Sequence, residues 1–159
     1  MTTDLVAGTQ APSFAIMTDN AGKISSASLK GQPYVLYFYP KDDTSGCTKE
    51  AVAFSENKRK FDALGVAIIG VSKDSAQSHE KFRAKHKLKI ALGSDSEKQL
   101  AESYGVWVEK TLYGRHYMGM DRATFLVDGK GVIRQVWRKV RVPGHVEAVL
   151  AAAKLLRDA

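Results

Sequence analysis

Residues 34–72 alternate between two fully apolar runs and a mixed segment. Tyr34 to Tyr39 (YVLYFY) holds only aromatic and aliphatic side chains, which predicts a strand covered on both faces. From Cys47 onward Ala51, Phe54, Phe61 and Leu64 recur at roughly helical spacing, and Gly65 supplies a stop. Val66 to Ser72 (VAIIGVS) predicts a second apolar strand. A strand, a helix and a strand in that order form a unit that is almost always parallel and right-handed.

The rest of the chain continues the alternation. A helix is predicted from about Ser75 to Lys87, a short strand over Lys89 to Ser94 (KIALGS), and a helix from Ser96 to Tyr104. Ala123 to Asp128 and Val132 to Val140 flank Gly129-Lys130-Gly131, which reads as an antiparallel hairpin. The last helix starts near Pro143, with Val146, Val149, Leu150, Ala153 and Leu156 on one stripe. Near the start, SFAIMTD and KISSASL surround Asn20-Ala21-Gly22 as a leading hairpin. The pattern predicts an α/β fold with a central mixed sheet flanked by helices. A length of 159 residues predicts one domain, residues 1–159, with enough chain to bury a core without staples.

Composition narrows the function classes. With 44% hydrophobic and 26% charged residues the chain reads as globular and not disordered. The segment MTTDLVAGTQAP has neither the basic nor the apolar region of a secretory signal, and the apolar runs are too short to span a bilayer. The cytoplasm is the expected compartment. One cysteine excludes an intramolecular disulfide. The net charge of +7 admits anionic partners, but the densest basic stretch, Arg134 to Val142, alternates with apolar residues as a strand with one solvated face does. No membrane partner and no specific nucleic acid is expected. The four histidines lack metal-ligand spacing and are expected at surface or helix-end positions, so no metal and no cofactor is expected. LYGRHYMGM has the spacing of neither phosphate-binding loop, and Trp107 and Trp137 read as packing residues or a rim.

The single thiol carries the candidate chemistry. Cys47 lies seven residues after Pro40, in the loop that follows the first parallel strand, where reactive groups of such sheets collect. A thiol of ordinary acidity is only about 3% thiolate at pH 7. The unpaired N–H groups and partial positive charge of a helix N-terminus favour the anion. Thr44 adds a hydroxyl that can donate or accept. A Cys packed merely as a small hydrophobe is the alternative, and the polar neighbours Asp42, Asp43, Thr44, Ser45, Thr48 and Lys49 argue against it.

Pro40-x-x-x-Thr44-x-x-Cys47 resembles the peroxiredoxin active-site motif, and VLYFYPKDDTSGCTKEA resembles specifically the bacterioferritin comigratory protein or PrxQ branch. APSF, GVSKDS, YGV, DRATFLVD and His145 extend the similarity over nearly the whole chain. The resemblance implies a thioredoxin-like fold and antioxidant reduction of hydrogen peroxide and small organic hydroperoxides, with Cys47 as the peroxidatic residue. It implies that Thr44 holds the thiolate and the incoming oxygen, and that Arg122 places its guanidinium beside the sulfur. It also implies that Pro40 screens the site, that Glu50 stands one turn into the helix, and that the Gly46 and Cys47 amides complete the cradle. Relatives in this branch are often monomers, and a monomer is expected.

Two departures from the family pattern stand out. Many relatives carry a resolving cysteine at the position of Val52, and most carry proline at Ser45. Five helical residues rise about 7.5 Å, while disulfides become implausible beyond about 7 Å between Cα atoms. Relatives must therefore unwind the helix to close that bond, a step this chain lacks. A one-cysteine cycle is expected, in which an external thiol (thioredoxin, glutaredoxin with glutathione, or a second copy) meets the sulfenic acid. A redox sensor without efficient turnover and a basic nucleic-acid-associated protein are the readings from other classes.

Overall fold

The structure is a computed structural model describing residues 5–158. Met1 to Asp4, the start of the segment read above as lacking a leader, lie outside the described residues, as does Ala159. The elements run β1 (Ala15–Thr18), β2 (Lys23–Ser25), β3 (Tyr34–Phe38), α1 (Ser45–Glu56), α2 (Lys58–Ala63), β4 (Ala67–Ser72) and α3 (Ala76–His86). They continue with β5 (Ala91–Ser94), α4 (Gln99–Ser103), β6 (Trp107–Leu112), β7 (Arg115–Met120), β8 (Ala123–Val127), β9 (Ile133–Trp137) and α5 (His145–Asp158). Seven strands form one mixed sheet in the order β2-β1-β5-β4-β3-β8-β9. β3 runs parallel to β4 and β4 to β5, while β8 lies antiparallel to β3. The leading hairpin joins the sheet edge through β1 against β5.

β3, an interior strand of the sheet, shows why its sequence is apolar at every position. Val35, Tyr37 and Tyr39 face Phe54, Phe61 and Val149 on one side of the sheet. Tyr34, Leu36 and Phe38 face Ile69, Tyr104 and Phe125 on the other. Side chains alternate with period two, so a strand with helices on both faces must be apolar throughout. Gly70 of β4 serves this packing: a Cβ there would lie 2.7 Å from the Tyr37 ring.

Three local features differ from expectation. The helix read from Cys47 to Leu64 begins at Ser45 and breaks at Asn57, whose side-chain Nδ2 donates to the Ala53 carbonyl at 2.8 Å. An Asn side chain competes with the backbone for such carbonyls, so the chain restarts as α2. Phe61 nonetheless stays on the buried side, 6.1 Å from Phe54. The second feature is the hairpin of β6 and β7, within which LYGRHYMGM lies. Tyr113 and Gly114 both take positive φ, 51° and 76°, the geometry of a two-residue hairpin turn without its usual Asn-Gly signature. Third, the basic stretch leaves the sheet after Trp137; within β9 the exposed residues are Arg134 and Gln135 beside buried Ile133. Among the described residues no helix is long and apolar enough to cross a membrane.

Candidate active site

Parallel β3 and β4 send their carboxyl ends to one edge, and the chain leaving β3 turns through residues 39–44 into α1. The antiparallel register sets Ala123 opposite Phe38, so Arg122, just before β8, stands beside this turn. Cys47 occupies the first turn of α1, and its Sγ accepts a hydrogen bond from Arg122 Nη2 at 3.3 Å. Arg122 Nη1 donates to Glu50 Oε1 at 2.7 Å. Glu50 follows Cys47 by three residues, which puts both on one helix face. Gly46 is needed because the guanidinium lies over it: a Cβ at that position would sit 3.0 Å from Arg122 Nη2.

The thiol is buried, with 1% of Cys47 exposed, and it joins the core cluster that holds Phe54. The polar neighbours that argued against a cysteine packed as a small hydrophobe do line the loop, but the sulfur itself is packed in the core, with Arg122 as its polar partner. Thr44 is exposed and forms the N-cap of α1 without a side-chain capping bond. Its Oγ1 instead donates to the Lys41 carbonyl at 2.8 Å. A hydroxyl has one proton, and here that proton goes to Lys41 and not to the sulfur, which leaves the Oγ1 lone pairs as acceptors. Pro40 is half-buried between Tyr39 and Asp42. Ser45 opens α1, the position where a proline ring would cost no helical hydrogen bond. Val52 is half-buried within the intact α1.

Electrostatics keep the pair behind the sulfur asymmetric. Burial raises the Arg122–Glu50 problem of two desolvated charges. Burial alone would lower the pKa of Arg122, but Glu50 and Cys47 outweigh it and raise it, so the guanidinium stays cationic. Glu50 is fully buried, and burial pushes its carboxyl up to about 7 against the opposing pull of Arg122. Its Oε2 has no hydrogen-bond partner among the described residues, and His145 Nε2 lies 3.9 Å away. His145 is pulled down to about 4, by burial first and by the Arg122 charge second, so it is neutral at pH 7.

The Glu50 shift has a measurable consequence. Its folded pKa of about 7 exceeds the ordinary 4.5, so between those values the folded state keeps a proton that the unfolded chain has lost. Stability therefore falls as pH rises through this window. In Glu50→Gln that decline, followed by urea unfolding between about pH 5 and pH 8, should shrink by about 3 kcal/mol. An unchanged decline would assign the pH dependence to other groups.

Sequence reasoning placed the histidines at surface or helix-end positions; His145 does open a helix, but its ring and that of His79 are buried. The His145 ring is bonded to Thr124 Oγ1 at 2.7 Å and set edge-on to Trp137 at 5.8 Å. His79 is fully buried in α3 against Asp42. Neither position carries a local signal, because the partners that shelter each ring lie far away in sequence; for His145 the motif containing Thr124 was the one available hint. Trp137 thereby sits near the site, while Trp107 packs in the other core with Lys98 over its ring. A cleft of about 770 Å³ is lined by Phe14, Met17, Asp95 and Leu100, and Cys47 is not part of its lining.

Among the described residues, Arg122 is the one side chain hydrogen-bonded to the sulfur, and no histidine is placed as a base for acyl transfer. A buried thiol under a fixed cation suits a small oxidant; sheet and site together define a thiol peroxidase of thioredoxin-like fold. A profile of the AhpC/TSA family matches residues 7–136. Peroxiredoxin Bcp of Bacillus subtilis is 44% identical over 147 residues, spanning 92% of this chain and 94% of that protein. The bacterioferritin comigratory protein of Xanthomonas campestris, in structures describing its alkyl peroxide reduction activity, superposes with a TM-score of 0.86 at 39% identity, covering 91% and 92% of the two chains. A mutant of Xylella fastidiosa PrxQ superposes with a TM-score of 0.90 at 33% identity, covering 98% of each. The chain belongs to the AhpC/TSA family, within its Bcp or PrxQ group of peroxiredoxins.

Proposed function

We propose that Cys47 reduces hydrogen peroxide and small organic hydroperoxides by a one-cysteine cycle. The thiolate attacks the distal peroxide oxygen, the O–O bond breaks, and the departing oxygen leaves with the electron pair and takes up a proton. Sulfur is oxidised by two electrons to the sulfenic acid. An external thiol condenses with it to give a mixed disulfide and water, and a second thiol restores Cys47. The observation that carries this reading is the Arg122 fork, one nitrogen on Sγ and the other on Glu50. A guanidinium so fixed needs no reorganisation as charge develops on the departing oxygen. Thr44 Oγ1 accepts a hydrogen bond from the peroxide O–H with the lone pairs its Lys41 bond leaves free. The amides of Gly46 and Cys47 lie in the uncapped first turn and add donors. Pro40 borders the loop and screens it from bulk water.

The reading is tested by stopped-flow oxidation of the reduced enzyme against free cysteine. Full ionisation alone gains at most about thirtyfold over a free thiol at pH 7. A Cys47-dependent rate well above that limit supports a built peroxidatic site. A rate within it favours the sensor reading.

The reductant is an external thiol of the thioredoxin, glutaredoxin or glutathione type, and the protein acts as a monomer in the cytoplasm, where such thiols are kept reduced. Val52 leaves the sulfenic acid without an internal partner. Intact mass after excess peroxide without reductant is therefore expected to show a product with two added oxygens, the sulfinic acid. A product that stops at one added oxygen would show the sulfenate to be protected.

A further inference from the structure

Asp42 is a buried carboxylate in the loop before α1, and no step above uses it. Its Oδ1 accepts from the Tyr39 hydroxyl at 2.6 Å, and its Oδ2 accepts from Ser78 Oγ at 2.8 Å and lies 2.7 Å from His79 Nδ1. The other ring nitrogen, Nε2, lies 2.9 Å from the Gly93 carbonyl oxygen of β5. Both ring nitrogens thus face acceptors. A neutral imidazole owns one N–H and satisfies one of them; an imidazolium satisfies both.

A second acid holds the same loop. Asp74 Oδ2 accepts from the Asp42 backbone N–H at 2.8 Å and from Ser72 Oγ at 2.7 Å. That N–H and the Lys41 carbonyl belong to one peptide group, and the carbonyl accepts the Thr44 hydroxyl proton at 2.8 Å. In a planar trans peptide the N–H and C=O point in opposite directions. Tying the N–H to Asp74 therefore turns the carbonyl towards Thr44. Asp43 follows in a left-handed conformation, φ 59°, with Lys85 and His86 of α3 on its carboxylate.

We propose that His79 and Asp74 are positioning residues for peroxide reduction, acting on Thr44 through Asp42 and the Lys41–Asp42 peptide. This rests on the peroxidase reading above. His79 holds the Asp42 side chain, Asp74 holds its backbone, and the peptide between them sets which way the Thr44 lone pairs face. The groups facing His79 are Asp42 from the loop, Tyr39 at the end of β3, Gly93 from β5, and the nearby Asp74 charge from the turn before α3. Burial by itself would lower the histidine pKa; the bond to Asp42 and its charge, with Gly93 and Asp74, outweigh it and raise the pKa above 6.5. The clamp is complete at low pH and is lost as pH rises through that elevated value.

The test is a double-mutant cycle on the rate of Cys47 oxidation by hydrogen peroxide, with Trp fluorescence as the signal and circular dichroism as the control for folding. His79→Gln is expected to slow the reaction about ten- to hundredfold. In a Thr44→Val background the same change should add less than about a twofold loss, because non-additivity marks residues that act through one another. Asp74→Ala serves as an independent second variant with the same expected pattern. Equal losses in both backgrounds, or no loss in either, would overturn the proposal while leaving the peroxidase reading intact. A wild-type rate within the ionisation limit would overturn that reading and this one with it. The wild-type protein offers a check without substitution: ¹⁵N spectra at about pH 6, below the ordinary imidazole pKa, should show both His79 ring nitrogens protonated, and a neutral tautomer there would refute the clamp.

Discussion

Cys47→Ser is expected to bring the oxidation rate with hydrogen peroxide down to the uncatalysed background, a loss of more than about a thousandfold. The expectation rests on electron bookkeeping at sulfur: the reaction needs an atom that gives up two electrons and carries the oxygen as a stable intermediate. A serine hydroxyl is a weak nucleophile at neutral pH and has no such oxidation state open to it. The fold should survive. The replacement is smaller by a fraction of an ångström in bond length, and Arg122 Nη2, 3.3 Å from the present Sγ, remains available to pair the buried hydroxyl. Stopped-flow fluorescence reads the reaction because Trp137 stacks edge-on with His145, which lies 3.9 Å from Glu50 behind the sulfur. A Cys47→Ser protein that still consumes peroxide would remove the thiol from the chemistry.

Arg122→Ala is the second large effect, with an expected loss of about a hundred- to a thousandfold, the usual range for deleting one preorganised donor from a site of developing charge. Ionisation of the thiol cannot supply more than the factor of about thirty already given. A larger loss in Arg122→Ala would therefore locate the remainder in transition-state stabilisation. Glu50 does not become a stranded charge in this variant. With its pKa already at about 7, loss of the cation that opposes that shift leaves it protonated at neutral pH. Arg122→Lys separates charge from geometry. Lysine keeps the charge but cannot span Sγ and Oε1 with two nitrogens of one rigid fork. A rate between wild type and Arg122→Ala is expected; equality with wild type would show that charge alone suffices.

Much of the frame was legible from the order of residues. β3 and β4 declare themselves because burial on both faces demands an apolar side chain at every position, a local pattern. Ser75 before α3 and the apolar stripe of α5 are local signals of the same sort. The β6–β7 hairpin escaped notice because its strands are largely exposed and its turn is Tyr113-Gly114. The hairpin matters to the site, since it delivers the chain to Arg122 two residues after β7 ends.

The order of residues by itself determined the strand–helix–strand unit and the thiol in the first turn of its helix. It also determined that no second thiol closes the cycle internally. These follow from periodicity, turn chemistry and a count, all of which act over a few residues. Tertiary structure decided which polar groups meet. Arg122 reaches Cys47 across 75 residues and His79 reaches Asp42 across 37, and neither pairing has a local period. It also decided that Cys47 is buried and that Thr44 spends its one proton on Lys41. Hydrogen-bond partners and desolvation depend on what packs against a group from distant elements, so protonation and donor direction exist only once the sheet has assembled.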